Sequence, residues 1–401
     1  MKTTENSISD PRKDLLEADR IFLETESLRA ITERYPTPFF LFDEKRLRTN
    51  AKSLQALFSF HQNTVHSFPV RRCPNAEVLR ILREESIRVR CETPAELRMA
   101  VRCGFRGPQI VYAAMHLPRW IAVLLRDLDA VLQVYSPLPL PDVLPRRVDL
   151  VCAERELHNL SLLPVMLKKT RIGLTTDEMA ERIPLLRAAG VESFGLVLHS
   201  DSNNVDENVL AAKLLSLHRE AQILRELTGA DFERFDLTGG LGMQFNKSVK
   251  PVDAELAAEK FRAALETLDD VSQELDFCLE RRLVDSAAVF VTSVLGVYER
   301  GNPTIVVDAD ARQIVFNTLN RYRHISVAGK EERLGRKFFD VVGIRGINTD
   351  WLGENRVLQG TEPGDLLIFH DVGGSIPARP EAECLLLREN GQVVCLQHGE
   401  E

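Results

Sequence analysis

Two arginines and a cysteine stand directly behind a short apolar run in the segment HSFPVRRCPN, residues 66–75. The run predicts a β-strand over 66–70, followed by Arg71, Arg72 and Cys73 and then by a Pro-Asn turn. In α/β proteins the carboxyl ends of strands carry most ligand contacts and catalytic groups. Adjacent guanidinium groups bind a carboxylate or phosphate through paired hydrogen bonds, so the segment favours an anionic ligand.

Three other predicted strand ends carry groups that are able to bind a ligand. His199 ends the run GLVLH, and Glu280 ends a run that is followed by two arginines, the second of which is Arg282. The run FDL is followed by TGGLG, in which Gly239 and Gly240 allow backbone N–H groups to approach a phosphate. Each feature alone has an ordinary structural explanation, namely a buried histidine, a salt-bridged carboxylate or a tight turn. Their shared position at strand ends favours a common site.

Composition argues against several classes of function. The 401 residues carry a formal net charge of −8, whereas general nucleic-acid binding requires a basic surface. No apolar run approaches the ~20 residues of a membrane span, and the start MKTTENSISD lacks the apolar core of a signal peptide. Seven cysteines are scattered without a CxxC pair, which is typical of reduced thiols. We expect a cytoplasmic protein that binds neither nucleic acid nor membrane, and no metal site.

Apolar strand candidates alternate with amphipathic helical stretches over residues 37–281. Eight strands separated by helices predict a TIM-like (β/α)8 barrel, with a doubly wound open sheet as the competing arrangement. The β-rich runs of residues 282–401 predict a separate all-β barrel domain. Residues 1–36 are predicted to form an N-terminal helical or extended segment, and the assignment of the strand near 39–43 stays open between the two domains. The eight barrel strands are predicted at 66–70, 88–91, 109–114, 130–136, 147–152, 193–200, 234–240 and 275–280.

Six motifs in sequence order carry a family resemblance that extends from about residue 37 to residue 378. They are TPFFLFDEKRLRTN, TRIGLTTDEM, GLVLHSDS, FDLTGGLGM, LVDSAAVFVTSVLGVYER and EPGDLLIFHDVGG. Together they resemble the fold-type III decarboxylases that depend on pyridoxal phosphate, the group that acts on diaminopimelate, ornithine and arginine. The resemblance implies an alanine-racemase-like barrel with a C-terminal β-barrel domain, pyridoxal phosphate as cofactor, an amino-acid substrate and a homodimer.

Part of the family's site is present in this sequence. The resemblance gives six positions a role in holding the cofactor: His199 stacks on the pyridine ring, Ser202, Gly239 and Gly240 hold the phosphate, Glu280 binds the pyridine nitrogen, and Arg282 contacts the phosphate.

Four other family residues are replaced. The lysine that forms the Schiff base aligns with Arg71, and a guanidinium cannot replace an amine because it stays protonated and delocalised. An aspartate near the ring hydroxyl aligns with Arg90. The catalytic cysteine aligns with Gly346 and the phosphate-binding tyrosine with Ser375, whereas the substrate-binding aspartate is retained as Asp350.

These replacements predict either a pseudoenzyme or a pocket adapted to another anionic small molecule, with Arg71, Arg72 and Arg90 as its ligand contacts and Asp350 beside them. A pseudoenzyme is expected to pair with itself or with a related, catalytically active decarboxylase. The alternative is an active decarboxylase of a basic or diamino acid with an unusual anchor for its cofactor.

Two structural alternatives stay open for the same residues. The arginines are as well suited to ion pairs with Glu92 or Glu280, which would fill the cofactor space, as to a ligand. Cys73 beside two cations is either a buried, inert thiol or a nucleophile with a lowered pKa.

Overall fold

A computed structural model describes residues 24–153, 172–199, 204–243, 252–269, 271–314, 324–330, 337–358, 360–377 and 380–396. The chain divides into two compact units. The sheet unit consists of Met1–Arg46, Asp285–Gly373 and Glu381–Cys395, and the barrel unit of Leu47–Val284, Gly374–Pro380 and Leu396–Glu401.

Eight parallel strands of the barrel unit close on themselves, because the first strand pairs with both the second and the last. This closure confirms the predicted (β/α)8 barrel and excludes the open sheet. The strands are β2 (Thr64–Pro69), β3 (Arg88–Cys91), β4 (Ile110–Ala114), β5 (Val131–Val134), β6 (Arg147–Val151), β7 (Ser193–Val197), β8 (Arg234–Asp236) and β9 (Glu274–Phe277).

Helices alternate with the barrel strands, and several begin at side chains that bind the first free N–H groups. Asn75 accepts from Glu77 and Val78, and Thr175 forms a capping box with Glu178. In the described residues the helices are α1 (Thr25–Arg34), α2 (Glu44–Leu57), α3 (Ala76–Glu84), α4 (Pro94–Arg102), α5 (Arg119–Asp127), α6 (Thr176–Ala188), α7 (Val209–Thr228), α8 (Ala254–Glu266) and α9 (Glu280–Val284).

The sheet unit is built on a nine-stranded mixed sheet, which confirms the predicted second, all-β part of the fold. Its first strand pairs antiparallel with β10 and parallel with β16, so residues from both ends of the chain share this sheet. The strands are β1 (Phe39–Asp43), β10 (Ala288–Arg300), β11 (Asn302–Val307), β12 (Ile325–Val327), β13 (Lys337–Val342), β14 (Trp351–Leu358), β15 (Leu366–Phe369), β16 (Glu383–Leu387) and β17 (Val393–Cys395).

The interior of the barrel contains buried ion pairs as well as apolar side chains. The guanidinium of Arg234 donates from Nε and Nη2 to Asp149 Oδ1 at 2.9 and 2.8 Å. Gly195 makes room for this carboxylate, since a Cβ at that position would lie 2.3 Å from Asp149 Oδ1. Removing water from two charges is costly, so each charge depends on its partner.

We expect Arg234→Leu to lower the free energy of unfolding by about 3–5 kcal/mol, because it leaves the Asp149 carboxylate buried without its cation. Urea unfolding measures the loss. Combining Arg234→Leu with Asp149→Leu should recover most of it, since the double variant buries no unpaired charge. The control is Arg262→Leu, which breaks an exposed pair with Glu266 and should cost at most about 1 kcal/mol. Equal losses in the two single variants would contradict the prediction.

Candidate functional site

Arg71 and Arg72 lie where the sequence places them, at the carboxyl end of a barrel strand. They belong to a short 3-10 turn, Val70–Arg72, that follows β2 directly. The turn ends where the N–H of Cys73 donates to the carbonyl of Val70 at 3.1 Å. Cys73 itself is fully buried, and Asn75 then starts α3.

Both arginines form ion pairs with glutamates. Arg72 Nη2 contacts Glu280 Oε1, Arg71 Nη2 lies 3.7 Å from Glu280 Oε2, and Arg71 Nε donates to Glu92 Oε1 at 2.7 Å. We call Arg71, Arg72, Glu92 and Glu280 the arginine–glutamate cluster. Within it Glu280 is buried, with 6% of its side chain exposed, whereas the Arg71 and Glu92 side chains are 41% and 39% exposed. Of the two alternatives that the sequence left open for these arginines, the structure shows the ion pairs with Glu92 and Glu280.

The charges of the cluster depend on one another. Burial alone would raise the pKa of Glu280, but the guanidinium groups of Arg72 and Arg71 outweigh burial and hold it below its usual value. Burial would likewise lower the pKa of Arg71, and the carboxylates of Glu280 and Glu92 raise it instead. Glu280 is therefore a carboxylate at neutral pH, with a guanidinium group near each of its oxygens.

Arg90 lies in a different network, inside the barrel. The whole residue is buried, with 2% of its surface exposed. Its guanidinium donates to Gln133 Oε1 at 2.7 Å, Asp236 Oδ2 at 2.5 Å and Ser67 Oγ at 3.2 Å. Gln133 also donates to Asp236 Oδ2 at 2.7 Å. Burial would lower the pKa of Arg90, but the charge of Asp236 raises it well above its usual value. The structure therefore brings Arg71 and Arg72 together on Glu280 and gives Arg90 its own acceptors.

A turn of residues 238–242 follows β8 and contains Gly239 and Gly240. Their φ angles are 76° and 134°, which side-chain-bearing residues rarely adopt. A Cβ on Gly240 would lie 3.1 Å from Leu210 Cδ2, so the turn also packs closely against α7. Within the described part of the chain, no protein acceptor binds the N–H groups of Gly239 and Gly240. Such neighbouring N–H groups are suited to an anion.

Two other predicted cofactor residues of the barrel unit, His199 and Arg282, follow barrel strands. His199 lies just beyond β7, where burial, helped by the charges of Lys213 and Arg90, lowers its pKa to about 4. Its imidazole is therefore neutral at physiological pH. Arg282, on α9, donates from Nη2 to the carbonyl of Val252 at 3.2 Å. Ser202 lies outside the described residues, and Ser375 is buried.

Asp350 and Gly346 belong to the sheet unit. The Asp350 carboxylate is buried and accepts the N–H of Ala311 on Oδ1 at 2.7 Å and the N–H of Arg345 on Oδ2 at 2.8 Å. It thereby ties two loops of this unit together. Gly346 faces open space, since a Cβ there would meet no atom within 4 Å.

The sequence analysis missed several buried polar residues around the barrel. Asp236, Asp276 and Gln133 project from strand positions inside the barrel, and Lys213 is fully buried on α7. A signal exists for the strands, because charged and apolar residues alternate in β8 (RFD) and β9 (ELDF), where fully apolar runs are typical of a parallel sheet. Lys213 interrupts the apolar stripe of α7 formed by Leu210, Leu214 and Leu217.

The lysines of the barrel unit that the structure describes lie on helices and not at strand ends. Lys52 and Lys260 lie on α2 and α8 and bind Glu85 and Asn208, and the Nζ of Lys213 binds backbone carbonyls. Arg71, in the turn that follows β2, has no free amine, so the described residues of the barrel unit do not fit a lysine-bound cofactor. Four lysines of the barrel unit lie outside the described residues: Lys168, Lys169, Lys247 and Lys250.

The described residues show neither a metal site nor a membrane-spanning helix. They contain no group of three or more histidine, cysteine, aspartate or glutamate side chains arranged to hold a metal ion. They also include no helix of the length and apolar character that crossing a membrane requires.

The chain belongs to a class of two-part α/β proteins, defined by a parallel barrel with charged groups at its strand ends and by a separate mixed sheet. Comparison with known proteins identifies the family within this class. The model of the pyridoxal-dependent decarboxylases, described as their C-terminal sheet domain, matches residues 39–373. The chain belongs to this family of fold-type III decarboxylases, whose cofactor is pyridoxal phosphate.

Individual relatives match over almost the whole chain. The diaminopimelate decarboxylase of Methanothermobacter thermautotrophicus is 26% identical over 389 residues, covering 90% of this chain and 88% of its own. Protein TabA of Pseudomonas amygdali pv. tabaci is 24% identical over 398 residues, covering 93% and 91%. The crystal structure of Helicobacter pylori diaminopimelate decarboxylase complexed with L-lysine has a TM-score of 0.80 at 18% identity, covering 93% and 97%. This structural likeness supports the fold.

Asp276 provides a test of the charges inside the barrel. Burial and the neighbouring Asp236 carboxylate raise its pKa to about 7, against the opposing effect of Arg90 and Arg88. An unfolded aspartate has a pKa of about 3.9. Between about pH 3.9 and pH 7, Asp276 therefore carries a proton in the folded protein and none in the unfolded chain, so its contribution to stability falls as the pH rises through this range. We expect the urea midpoint of Asp276→Asn to change more favourably from about pH 6.5 to about pH 8 than that of the wild type, because only the wild type loses the stabilising proton of Asp276 over this range.

Two histidines act in the opposite direction, and they are the same in the variant and the wild type. The pKa values of buried His66 and His199 are lowered to about 4 in the folded protein, whereas an unfolded histidine has a pKa of about 6.5. Their contribution to stability therefore rises from about pH 6.5 to about pH 8, and it cancels when the variant is compared with the wild type. Asp231→Asn, at a carboxylate that is 78% exposed, is the matched control and should keep the pH dependence of the wild type. The same pH dependence in Asp276→Asn as in the wild type would contradict the assignment.

Proposed function

We propose that this chain is a pseudoenzyme of its family, which has exchanged lysine-dependent cofactor chemistry for the binding of an anionic small molecule at the carboxyl end of the barrel. The arginine–glutamate cluster carries this proposal. Arg71 aligns with the family's lysine, and its guanidinium contacts two glutamates, one of which aligns with the carboxylate that binds the pyridine nitrogen.

The cluster opposes the family's chemistry at two points. A guanidinium keeps its proton and its delocalised charge, so Arg71 offers no nucleophilic nitrogen to an aldehyde. Glu280 has a guanidinium near each oxygen, so a pyridine nitrogen would have to displace one of these cations. Displacement from Arg72 is the more costly, since both partners are largely buried and the arginine would lose its counter-charge.

The exposed half of the cluster supports anion binding. The pair of Arg71 and Glu92 is 41% and 39% exposed, and exposed pairs contribute only about 0–1 kcal/mol. A ligand carboxylate or phosphate can therefore replace Glu92 on Arg71 at little cost. At the same end of the barrel, the N–H groups of Gly239 and Gly240 supply two further donors. Diaminopimelate and L-lysine, which are named for the relatives, suggest that a small amino acid is among the ligands to test.

A second candidate function is binding to a related decarboxylase, and one observation favours it. Ile344, Ile347 and Trp351, which fall within eight residues of the sheet unit, are 58%, 56% and 44% exposed. Large exposed apolar side chains that lie close together are typical of protein contact surfaces. A pull-down with a related decarboxylase tests this candidate, and a chain that remains alone or with its own copies would contradict it. Cytoplasmic location and a homodimer stay predictions from the sequence.

The first test of the proposal is cofactor attachment. We expect borohydride treatment of the purified protein with pyridoxal phosphate to attach only low, scattered amounts of cofactor to exposed lysines such as Lys52, because position 71 offers no amine. Arg71→Lys supplies one and should permit weak attachment at residue 71 without decarboxylase activity, since Gly346 and Ser375 are also changed. Arg71→Gln, which removes the guanidinium without supplying an amine, is the control. One cofactor per chain on a single lysine of the wild type, located by peptide mapping, would refute the proposal.

The second test is anion binding. Inorganic phosphate, compared with chloride at equal ionic strength, should raise the melting temperature of the wild type, because a ligand of the folded state stabilises it. Arg71→Ala should lose most of this rise. Arg119→Ala is the matched control: Arg119 is 64% exposed and paired with Asp142 on the same unit, and its removal should leave the phosphate effect intact. An unchanged rise in Arg71→Ala would exclude Arg71 as the contact.

A further inference from the structure

Lys213 is a buried cation of the barrel unit that lies outside the arginine–glutamate cluster. It lies on α7 with 0% of its surface exposed, and its Nζ donates to the carbonyls of Thr238 and Gly239 at 2.5 and 3.1 Å. Burying an ammonium group is costly unless hydrogen bonds replace its water. These two carbonyls belong to the turn of residues 238–242, so the cost of burying Lys213 is offset at the predicted anion site.

The carbonyls of three successive residues in this turn accept hydrogen bonds from the barrel unit. Lys213 binds those of Thr238 and Gly239, and the N–H of Asn204 donates to the carbonyl of Gly240 at 2.9 Å. In a planar trans peptide the N–H points opposite to the C=O of the preceding residue. Holding the carbonyls of Thr238 and Gly239 therefore directs the N–H groups of Gly239 and Gly240 to the other side.

The turn needs such an anchor because of its glycines. Gly239 and Gly240 adopt φ angles of 76° and 134°, and glycine has more alternative conformations than any other residue. Rotation of either peptide would turn a carbonyl oxygen, which repels an anion, to the side where an N–H would bind one. Lys213 opposes that rotation and also places a positive charge behind the turn.

We propose that Lys213 is a positioning residue that holds the turn of residues 238–242 with its N–H groups directed toward an anionic ligand. This inference rests on the proposed anion site and specifies how one side of it is built. The ligand group it favours is a phosphate or a carboxylate, since either accepts two neighbouring N–H groups. Lys213 itself contacts the turn and is given no contact with the ligand.

The test compares Lys213→Met, which keeps the length of the side chain and removes its charge and donors, with Leu217→Ala. Leu217 is buried one turn further along the same face of α7, so its truncation weakens the packing without touching residues 238–242. We expect Lys213→Met to weaken the binding of inorganic phosphate by about tenfold to a hundredfold, as loss of charged hydrogen bonds does. Leu217→Ala should lower the melting temperature and leave the phosphate affinity within about twofold of the wild type. If Lys213→Met does not fold, Lys213→Gln is used with the same expected direction.

Hydrogen–deuterium exchange without any ligand separates this inference from the proposed function. The N–H of Gly242 donates to the carbonyl of Asn204 at 2.7 Å, and the N–H of Asn204 to that of Gly240. Lys213→Met should speed exchange of these two amides relative to those of the barrel strands, whereas Leu217→Ala should not. If exchange and phosphate affinity both match the wild type, the inference is overturned. If the wild type binds no phosphate, the proposed anion site fails, and the exchange result alone decides whether Lys213 holds the turn.

Discussion

Charge that is buried inside or at the end of the barrel requires an opposite charge or hydrogen-bond acceptors within reach, and this constraint governs the arrangement of the barrel unit. Arg234 meets Asp149, Arg90 meets Asp236, and Arg72 meets Glu280. Each pair exists because removing water from a single ion costs several kcal/mol, of the order that a whole domain has in reserve. The strands must therefore keep a register in which these partners face each other. Replacing one member of a pair leaves the other member as an unpaired buried charge.

The same constraint links the fold to the function that we propose. A cofactor that used Glu280 would have to compete with two guanidinium groups that are already neutralised by it. An anion, by contrast, needs only to replace the exposed carboxylate of Glu92 on Arg71, at the wetter edge of the cluster. The buried pair of Arg72 and Glu280 thus holds the inner part of the site in place. The exposed pair of Arg71 and Glu92 is weaker, so a ligand can replace Glu92 at the rim.

Much of the fold could be predicted from the sequence because its signals are local. Apolar runs at strand length, amphipathic helices between them and caps such as Asn75 and Thr175 depend on residues within a few positions. The strand Phe39–Asp43 was the exception, since its own composition does not say which sheet it joins. Its partners, β10 and β16, lie some 250 and 340 residues along the chain, and only the assembled sheet selects them.

The sequence by itself determined that Arg71, Arg72, Glu280 and the turn of residues 238–242 lie at strand ends, because the end of an apolar run is a local property. It also left the arginines equally suited to a ligand and to glutamates. Only the tertiary structure decided that Glu280 takes both, that Arg90 turns inward to Asp236, and that Lys213 lies behind the glycine turn. The physical reason is that opposite charges attract over a few ångströms, and which charges come that close depends on closure of the barrel and on the packing of α7, not on spacing along the chain.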